Sequence, residues 1–392
     1  MTGRVVVVGG GPAGLAASRR AADAGAEVLL IDESPALGGP IARGARADRR
    51  VRVRGGARVV AALPGALLVE DRAGADTVGY DRLVIATGAR ELFLPFPGWT
   101  LPGVFGAGGL QLLAKGGWPV SGKRVVLGGT GPLLLAAASG LRRLGADIVA
   151  VAEHQGRLGL ARFAAGLWRF PGKAVQALGL LGGLPLRPSS TVRGAHGTDA
   201  VRAVTLRVGA EERTLPCDLL GVGFGLVPNL DLSALLGCAL EGGRVRVDDR
   251  QATSVAGIFC AGEATGIGGI DKAIVEGEIA GLCAVGRDPE PALVRRRRRG
   301  HAFAAALARS FPPPAGWGDA LDENTIVCRC EDVPWRALRD ARDFRSAKLQ
   351  TRCGMGPCQG RVCGAALEVL RGFPRDGIRP PLTPVRLETL VR

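Results

Sequence analysis

The chain has 392 residues, 47% hydrophobic and 22% charged, enough to bury the cores of two or three domains. Its net charge is +15, but no aromatic residues interleave the basic run Arg295–Arg299 and no nucleic-acid motif accompanies it, which argues against nucleic acid as a partner. The most apolar stretch, Ala174–Leu186, is short and broken by glycines and Pro185, whereas a transmembrane helix needs about 20 apolar residues.

In chain order, the first predicted element is a buried parallel strand at Val5–Val8. This run passes straight into GGGPAG, without the apolar length or cleavage site of a secretory leader. Gly9-Gly10-Gly11-Pro12-Ala13-Gly14 then opens a helix to about Ala24, and a second strand, Glu27–Ile31, ends at Asp32-Glu33. In a dinucleotide site Gly9 allows the tight turn, Gly11 lets the backbone approach a pyrophosphate, and Gly14 lets helix and strand pack closely. The helix N-terminus offers free N–H groups to the phosphates, and Glu33 or Asp32 can accept the ribose hydroxyls.

Arg124–Leu135, RVVLGGTGPLLL, is an internal copy of Arg4–Leu15. Gly129 and Gly131 stand where Gly9 and Gly11 stand, and Leu134 replaces the third glycine. The next strand, Asp147–Ala152, ends at Glu153, as far beyond Gly131 as Glu33 lies beyond Gly11. A second nucleotide-binding domain is expected here, for NAD(P)H, for ATP or for no ligand. Leu134 should hold helix and strand apart and displace the phosphate pocket, and Glu153 would favour NADH by repelling a 2′-phosphate.

Nine cysteines divide unevenly. Cys217, Cys238, Cys260 and Cys283 are scattered through apolar or turn contexts and read as core residues. After Pro312–Pro314, CRC and CGMGPCQGRVC supply Cys328, Cys330, Cys353, Cys358 and Cys363. This clustering fits a metal site in a reducing cytoplasm better than disulfides. Four thiolates suit an iron–sulfur cluster or zinc, but zinc ribbons favour paired C-x₂₋₄-C knuckles. Gly354, Gly356 and Gly360 let the backbone fold closely around a cluster. No redox cysteine pair lies near either nucleotide motif, and no Ser/His/Asp constellation is evident among only three histidines. No catalytic residue is therefore assigned, and the chemistry falls to cofactors.

Several segments carry a resemblance. Glu33–Gly39 resembles the E-x-x-x-x-G-G stretch of FAD-containing disulfide-reductase-type flavoproteins, which favours Glu33 as ribose ligand and adds Gly39. Leu83–Arg90, with Thr87 and Gly88, resembles their A-T-G crossing between FAD and NAD domains, and Gly221–Asn229 their closing stretch. Ala252–Gly281, with Gly262, Glu263, Gly268 and Gly269, resembles the second FAD fingerprint, with Glu263 replacing the usual aspartate at the ribitol. The cysteine segment is similar to the 2Fe–2S domain of bacterioferritin-associated ferredoxins. The whole chain resembles the α-subunit family of heteromeric FAD/iron–sulfur dehydrogenases, which includes the B component of hydrogen cyanide synthase, the A component of opine oxidase and the α subunits of hydroxyproline and proline dehydrogenases. That resemblance implies cluster ligation by Cys328, Cys330, Cys358 and Cys363, with Cys353 a spare thiol. The chain departs from the family's G-G-Q-I-Y-R at Gly38–Arg43, and the segment from there to Ala89 is short.

The expected fold is α/β: two Rossmann-like dinucleotide-binding domains of the disulfide-reductase type plus a small helical cysteine-rich 2Fe–2S domain. The expected boundaries are 1–113 and 245–292 for the FAD domain, 114–244 for the second nucleotide domain, 293–322 for a linker, 323–375 for the cysteine domain and 376–392 for a tail. The resemblance implies a cytoplasmic electron-transfer subunit of a dehydrogenase acting on an amine, imino acid or opine. Its partner would be a flavoprotein β subunit of the glycine-oxidase or amino-acid-oxidase type, with room for a small ferredoxin-like γ subunit. The alternatives are a self-contained NADH-dependent reductase and a non-catalytic iron–sulfur delivery module.

Overall fold

The computed structural model describes residues 3–375 and 377–391. Its helices in chain order are α1 (Pro12–Asp23), α2 (Ala107–Lys115), α3 (Pro132–Arg143), α4 (Arg157–Gly166), α5 (Pro171–Leu181), α6 (Asp231–Leu235), α7 (Ile270–Ala284), α8 (Pro291–Ser310), α9 (Phe344–Thr351), α10 (Cys363–Arg371) and α11 (Leu387–Leu390). The chain forms two compact units, Met1–Arg90 with Val227–Ala305 and Gly377–Arg392, and Glu91–Leu226 with Ala306–Asp376.

The first unit is built on a five-stranded parallel sheet, in the order Ile258–Cys260, Arg82–Ile85, Arg4–Val8, Glu27–Asp32, Val51–Gly55. Val5, Val6 and Val7 are all buried, so successive side chains enter apolar layers on both faces of the sheet. One layer holds α1 and α7. The other includes the antiparallel strands at 58–79. Helices α1 and α7 meet almost backbone to backbone. A Cβ on Gly277 would overlap the Ala13 carbonyl, and one on Gly281 the Ala17 carbonyl. Small residues at one-turn spacing thus let the two helices approach each other closely.

The second unit repeats the design. Its parallel sheet runs Leu186–Arg187, Asp147–Glu153, Arg124–Gly129, Leu219–Gly223, Val104–Gly106. Leu110, Leu127, Leu134 and Leu141 fill its core. The cysteine segment belongs to this unit.

These units depart from the boundaries expected from the sequence. The Val104–Gly106 strand pairs with Leu219–Gly223 of the second sheet, so that sheet recruits chain well before residue 114. Most of the expected linker is helix, namely α8. Within the Arg295–Arg299 run Arg297 is buried and bonds Asp249 and the Asp248 carbonyl, while Arg296 lies 3.6 Å from Glu278. The run is therefore partly structural rather than a solvated connector. The expected tail joins the first unit, where Leu382 N–H donates to the Val60 carbonyl and Thr389 Oγ1 to Glu70 at 2.7 Å. No helix among the described residues is long and apolar enough to cross a membrane.

Gly277→Val should force α1 and α7 apart. We expect a loss of about 1–3 kcal/mol, the range for overpacked cores, read as a lowered urea midpoint; an unchanged midpoint would show that the seam tolerates a side chain.

Candidate cofactor sites

The first glycine motif forms an open cradle. Gly9 has φ +108°, and a Cβ on Gly14 would overlap the Gly9 carbonyl oxygen, so both positions require glycine. Gly11 is the N-cap of α1 and makes no side-chain capping bond; a Cβ placed on it would meet nothing within 4 Å. Pro12 is the first helical residue, where its missing N–H is not needed. The N-terminus of α1 therefore presents donors and positive dipole to free space. Gly38 N–H donates to the Gly10 carbonyl at 2.7 Å, which brings Gly39 alongside Gly11. Asp32 accepts from the N–H groups of Gly10 and Ser34, so it braces the loop, while Glu33 is exposed.

The second segment of this unit lies against the same helix. Ala13 and the Gly262 turn are in close contact, since a Cβ on Gly262 would sit 2.9 Å from the Ala13 Cβ. Glu263, expected at the ribitol, is already engaged within this chain. Its carboxylate accepts from the N–H groups of Gly268 and Gly269 at 2.8 Å each, at the start of α7, and burial raises its pKa. Gly262 is held by two residues that sequence reasoning missed. Its N–H donates to Glu276 at 2.9 Å, and its carbonyl accepts from Lys272 Nζ at 3.0 Å. Lys272 and Glu276 are paired at 2.9 Å, both buried, and Glu276 also bonds His301. Burial opposes the Glu276 charge, but the bonds from His301, Thr265 and Lys272 hold its pKa below the ordinary value. An oppositely charged i,i+4 pair inside an apolar helix was the available sequence signal. Thr87 Oγ1 donates to the Asn229 carbonyl at 2.8 Å, and the Asn229 side chain donates back to the Thr87 carbonyl. Asn229 N–H also bonds the Gly88 carbonyl. The A-T-G segment is thereby tied to the end of Gly221–Asn229.

The copied motif is closed. Its paired strands contain a register shift at Val125/Val126, which adds one residue to the Asp147–Glu153 strand. Glu153 consequently takes the loop-facing place of Asp32 rather than that of Glu33. It is buried and accepts from Thr130 Oγ1, Gly131 N–H and Gln155 N–H at 2.8–2.9 Å; burial raises its pKa. Gly129, at φ +143°, lies against the Gly223 carbonyl. Leu134 is absorbed into the core, its Cδ2 3.6 Å from where a Gly223 Cβ would be. In front of Gly131, where the first motif is empty, stands Phe311, its Cβ 3.7 Å from a Cβ built on that glycine. Phe311 packs edge-on against Phe163, and the neighbouring Ser310 carbonyl accepts from Gln155. A pyrophosphate at Gly131 would have to displace a carboxylate and an aromatic ring. Nothing in the motif itself announced Phe311, which lies 180 residues away in the sequence.

The cysteine segment builds the third site. Cys328 ends the Ile326–Cys328 strand, Cys363 starts α10, and Cys330, Cys353 and Cys358 lie on connecting turns. Gly354 and Gly360 have positive φ, and a Cβ on Gly356 would overlap that of Cys330. Cys328, Cys330, Cys358 and Cys363 line one cavity of about 500 Å³, together with Glu91, Phe93, Trp99 and Phe105. Cys353 is wholly buried, with its sulfur within 4.8 Å of those of Cys328 and Cys363. The sulfurs crowd one another. Bonds from Cys353 and Cys363 hold the Cys328 thiol far below its usual pKa, a bond from Cys363 lowers Cys358 to about 5, and the same contacts push Cys363 well up. Thiols so placed compete for protons, and a bound cation would relieve that competition. The chemistry of this donor set fits an iron–sulfur centre. Trp99 Nε1 donates to the Ile326 carbonyl and Trp317 Nε1 to the Pro95 carbonyl, both at 2.6 Å, fixing the aromatic wall. Glu91 accepts from the N–H groups of Gly108 and Gly109 at the start of α2. Cys217, Cys238, Cys260 and Cys283 are buried away as free thiols.

Residues 3–277 match the family model described as pyridine nucleotide-disulphide oxidoreductase. The chain belongs to that family. It is thus an oxidoreductase with the flavin/NAD(P)-binding Rossmann fold. Within the family it groups with the A component of the opine oxidase of Rhizobium meliloti (strain 1021), 35% identical over 97% of both chains, and with the HcnB component of the hydrogen cyanide synthase of Pseudomonas aeruginosa, 33% identical over 92% of this chain and 90% of that one. Among solved structures the L-proline dehydrogenase of P. horikoshii shares the fold with a TM-score of 0.72 at 20% identity, over all of this chain and 80% of that one. The family resemblance read from the motifs is thereby borne out, as is the α/β fold with two Rossmann-like sheets.

Gly11→Trp should fill the open cradle and abolish flavin retention, read from the visible spectrum of purified protein. Mixing wild type with NADH in stopped flow should leave any bound flavin oxidised; fast, saturable bleaching at micromolar NADH would mean that Glu153 and Phe311 are not barriers.

Proposed function

We propose that this chain is an FAD- and iron–sulfur-carrying electron-transfer subunit of a heteromeric dehydrogenase for amine, imino acid or opine substrates. The observation that carries this reading is similarity over nearly the full length of proteins named as subunits of opine oxidase and of hydrogen cyanide synthase. FAD is assigned to the Gly9–Gly14 cradle, with Glu33 toward the ribose and Gly39, Thr87, Gly88, Gly262, Glu263 and Gly269 bordering the site. Glu263 would release the N–H groups of Gly268 and Gly269 to the ligand, or bridge to it while holding them. When bound, FAD exchanges electrons in pairs or singly, and a 2Fe–2S centre exchanges them singly.

The work of the protein residues is to hold and insulate. Lys272 and Glu276 fix the turn at Gly262, and Asp32 fixes the loop at Gly10. Cys328, Cys330, Cys358 and Cys363 are the proposed cluster ligands, because these four thiols face a common cavity. Cys353 lies behind them and would donate a weak S–H bond to the ligand sulfurs. The crowding of Cys328, Cys353 and Cys363 would also accommodate a set in which Cys353 replaces Cys330, and substitution separates the two. Cys363→Ser should lose iron and sulfide, while Cys353→Ser should keep both; loss in Cys353→Ser with retention in Cys330→Ser would reverse the assignment.

The closed state of Gly129–Gly131 speaks against the reading of a self-contained NADH-dependent reductase. We assign no NAD(P)H or ATP to that motif. Electrons would then enter from a flavoprotein β subunit that carries the substrate site, in a reducing cytoplasm that preserves the thiols. Co-expression with such a partner should yield a complex whose dye-reducing activity requires both chains. Turnover of proline or glycine by this chain alone would overturn its assignment to a heteromeric complex.

A further inference from the structure

Beside the open cradle, two carboxylates share one buried cation. Glu263 feels both the attraction of Lys272 and the repulsion of Glu276. An ammonium has three donors. Those of Lys272 go to the Gly262 carbonyl at 3.0 Å, to Thr265 Oγ1 at 2.9 Å and to Glu276 at 2.9 Å, which leaves none for Glu263. Glu276 is held on all sides, by Lys272, by Gly262 N–H, by the Thr265 hydroxyl and by His301. Glu263 has only the N–H groups of Gly268 and Gly269. The other charged groups near this turn are exposed: Arg244, whose Nη1 lies 3.9 Å from a Cβ built on Gly266, and Asp271 in the first turn of α7. Helix α1 meets the turn through Ala13, which brings no charge.

Glu263 has little freedom to retreat. Lys272 and Glu276 grip Gly262 before it, and Gly266 N–H donates to its own carbonyl at 3.1 Å. Gly268 is packed so closely against Lys272 and Ala304 that a Cβ there would meet both. A dinucleotide in the cradle would bring a doubly charged pyrophosphate to this neighbourhood, since the Gly262 turn lies against Ala13, two residues beyond Gly11. The N–H groups that would answer that charge at α7 are the two that Glu263 occupies. An added anion in a poorly hydrated site is accommodated by neutralising an existing one.

We propose that Glu263 takes up a proton from solvent when FAD enters the cradle, so that this one carboxyl sets the pH dependence of flavin affinity. The inference rests on the assignment of FAD to that cradle. Once protonated, Glu263 no longer opposes the pyrophosphate, and its O–H becomes a donor. Glu276 keeps its charge because its bonds favour the ionised form. Burial already raises the pKa of Glu263, whereas that of Glu276 is held below the ordinary value, which selects Glu263 as the acceptor. A ligand that binds together with one proton loses about tenfold in affinity per pH unit as pH rises. That loss runs from the raised pKa of Glu263 in the free chain up to its still higher value in the complex.

The test is calorimetric titration of the full chain, freed of flavin, with FAD in buffers of different ionisation heat. The wild type should take up about one proton per FAD where affinity changes most steeply with pH. Glu263→Gln should take up none and bind FAD with an affinity that does not change with pH. His301→Gln keeps a donor for Glu276 but cannot titrate, and it should match the wild type. Binding by the wild type without proton uptake would overturn the proposal, and that measurement needs no variant. Uptake that persists in Glu263→Gln, or that is lost in His301→Gln, would overturn it too. A chain that binds no FAD at any pH would overturn the flavin assignment as well, whereas one that binds FAD with a flat pH profile would overturn only the role of Glu263.

Discussion

The close contact of α1 and α7 is the constraint on which the first unit depends. Its two glycine-rich segments are separated by more than 200 residues, and they can form one site only if their helices approach each other within backbone reach. Gly277 and Gly281 permit this by leaving the Ala13 and Ala17 carbonyls unobstructed. The paired Lys272 and Glu276 then grip both the N–H and the carbonyl of Gly262. A buried ion pair is a costly way to stabilise a fold, but here each charge is also hydrogen-bonded to backbone, so the same groups that offset each other's desolvation define the turn.

The two Rossmann motifs show how small a change in a strand closes the N-terminus of a helix. Both have a strand, a glycine turn, a proline at the start of the helix and an acid after the second strand. One additional residue in that second strand places Glu153 over the Gly131 N–H, which the first motif leaves open at Gly11. A helix N-terminus binds an anion because its N–H groups lack partners. An internal carboxylate there removes that capacity and leaves the sheet intact. Phe311 completes the closure.

The cysteine segment lies in the same compact unit as the closed motif. The Trp99 and Trp317 indoles anchor the aromatic loop, and Phe93, Trp99 and Phe105 wall the cavity in which four thiols converge. An apolar, hydrogen-bonded surround is what tunes the potential of a metal centre, through solvent access and the local dielectric.

Much of this was legible in the sequence. The run of β-branched residues at Val5–Val8, the spacing of Gly9, Gly11 and Gly14, and the internal copy at Arg124–Leu135 determine two parallel α/β units, because strand burial and tight-turn geometry are local requirements on residue type. The grouping of five cysteines within 36 residues likewise marks out a compact cysteine-rich segment. What only the tertiary structure decided are matters of long-range approach. The motif could not reveal that Phe311 stands before Gly131, that Glu153 faces the loop, or that Glu263 already occupies the N–H groups of Gly268 and Gly269. Nor could it show that Arg297 is buried within what reads as a charged run. The reason is physical. Periodicity and turn chemistry report which conformations a segment prefers, whereas the occupancy of a donor is settled by whichever group, however distant in sequence, folding brings within hydrogen-bonding reach.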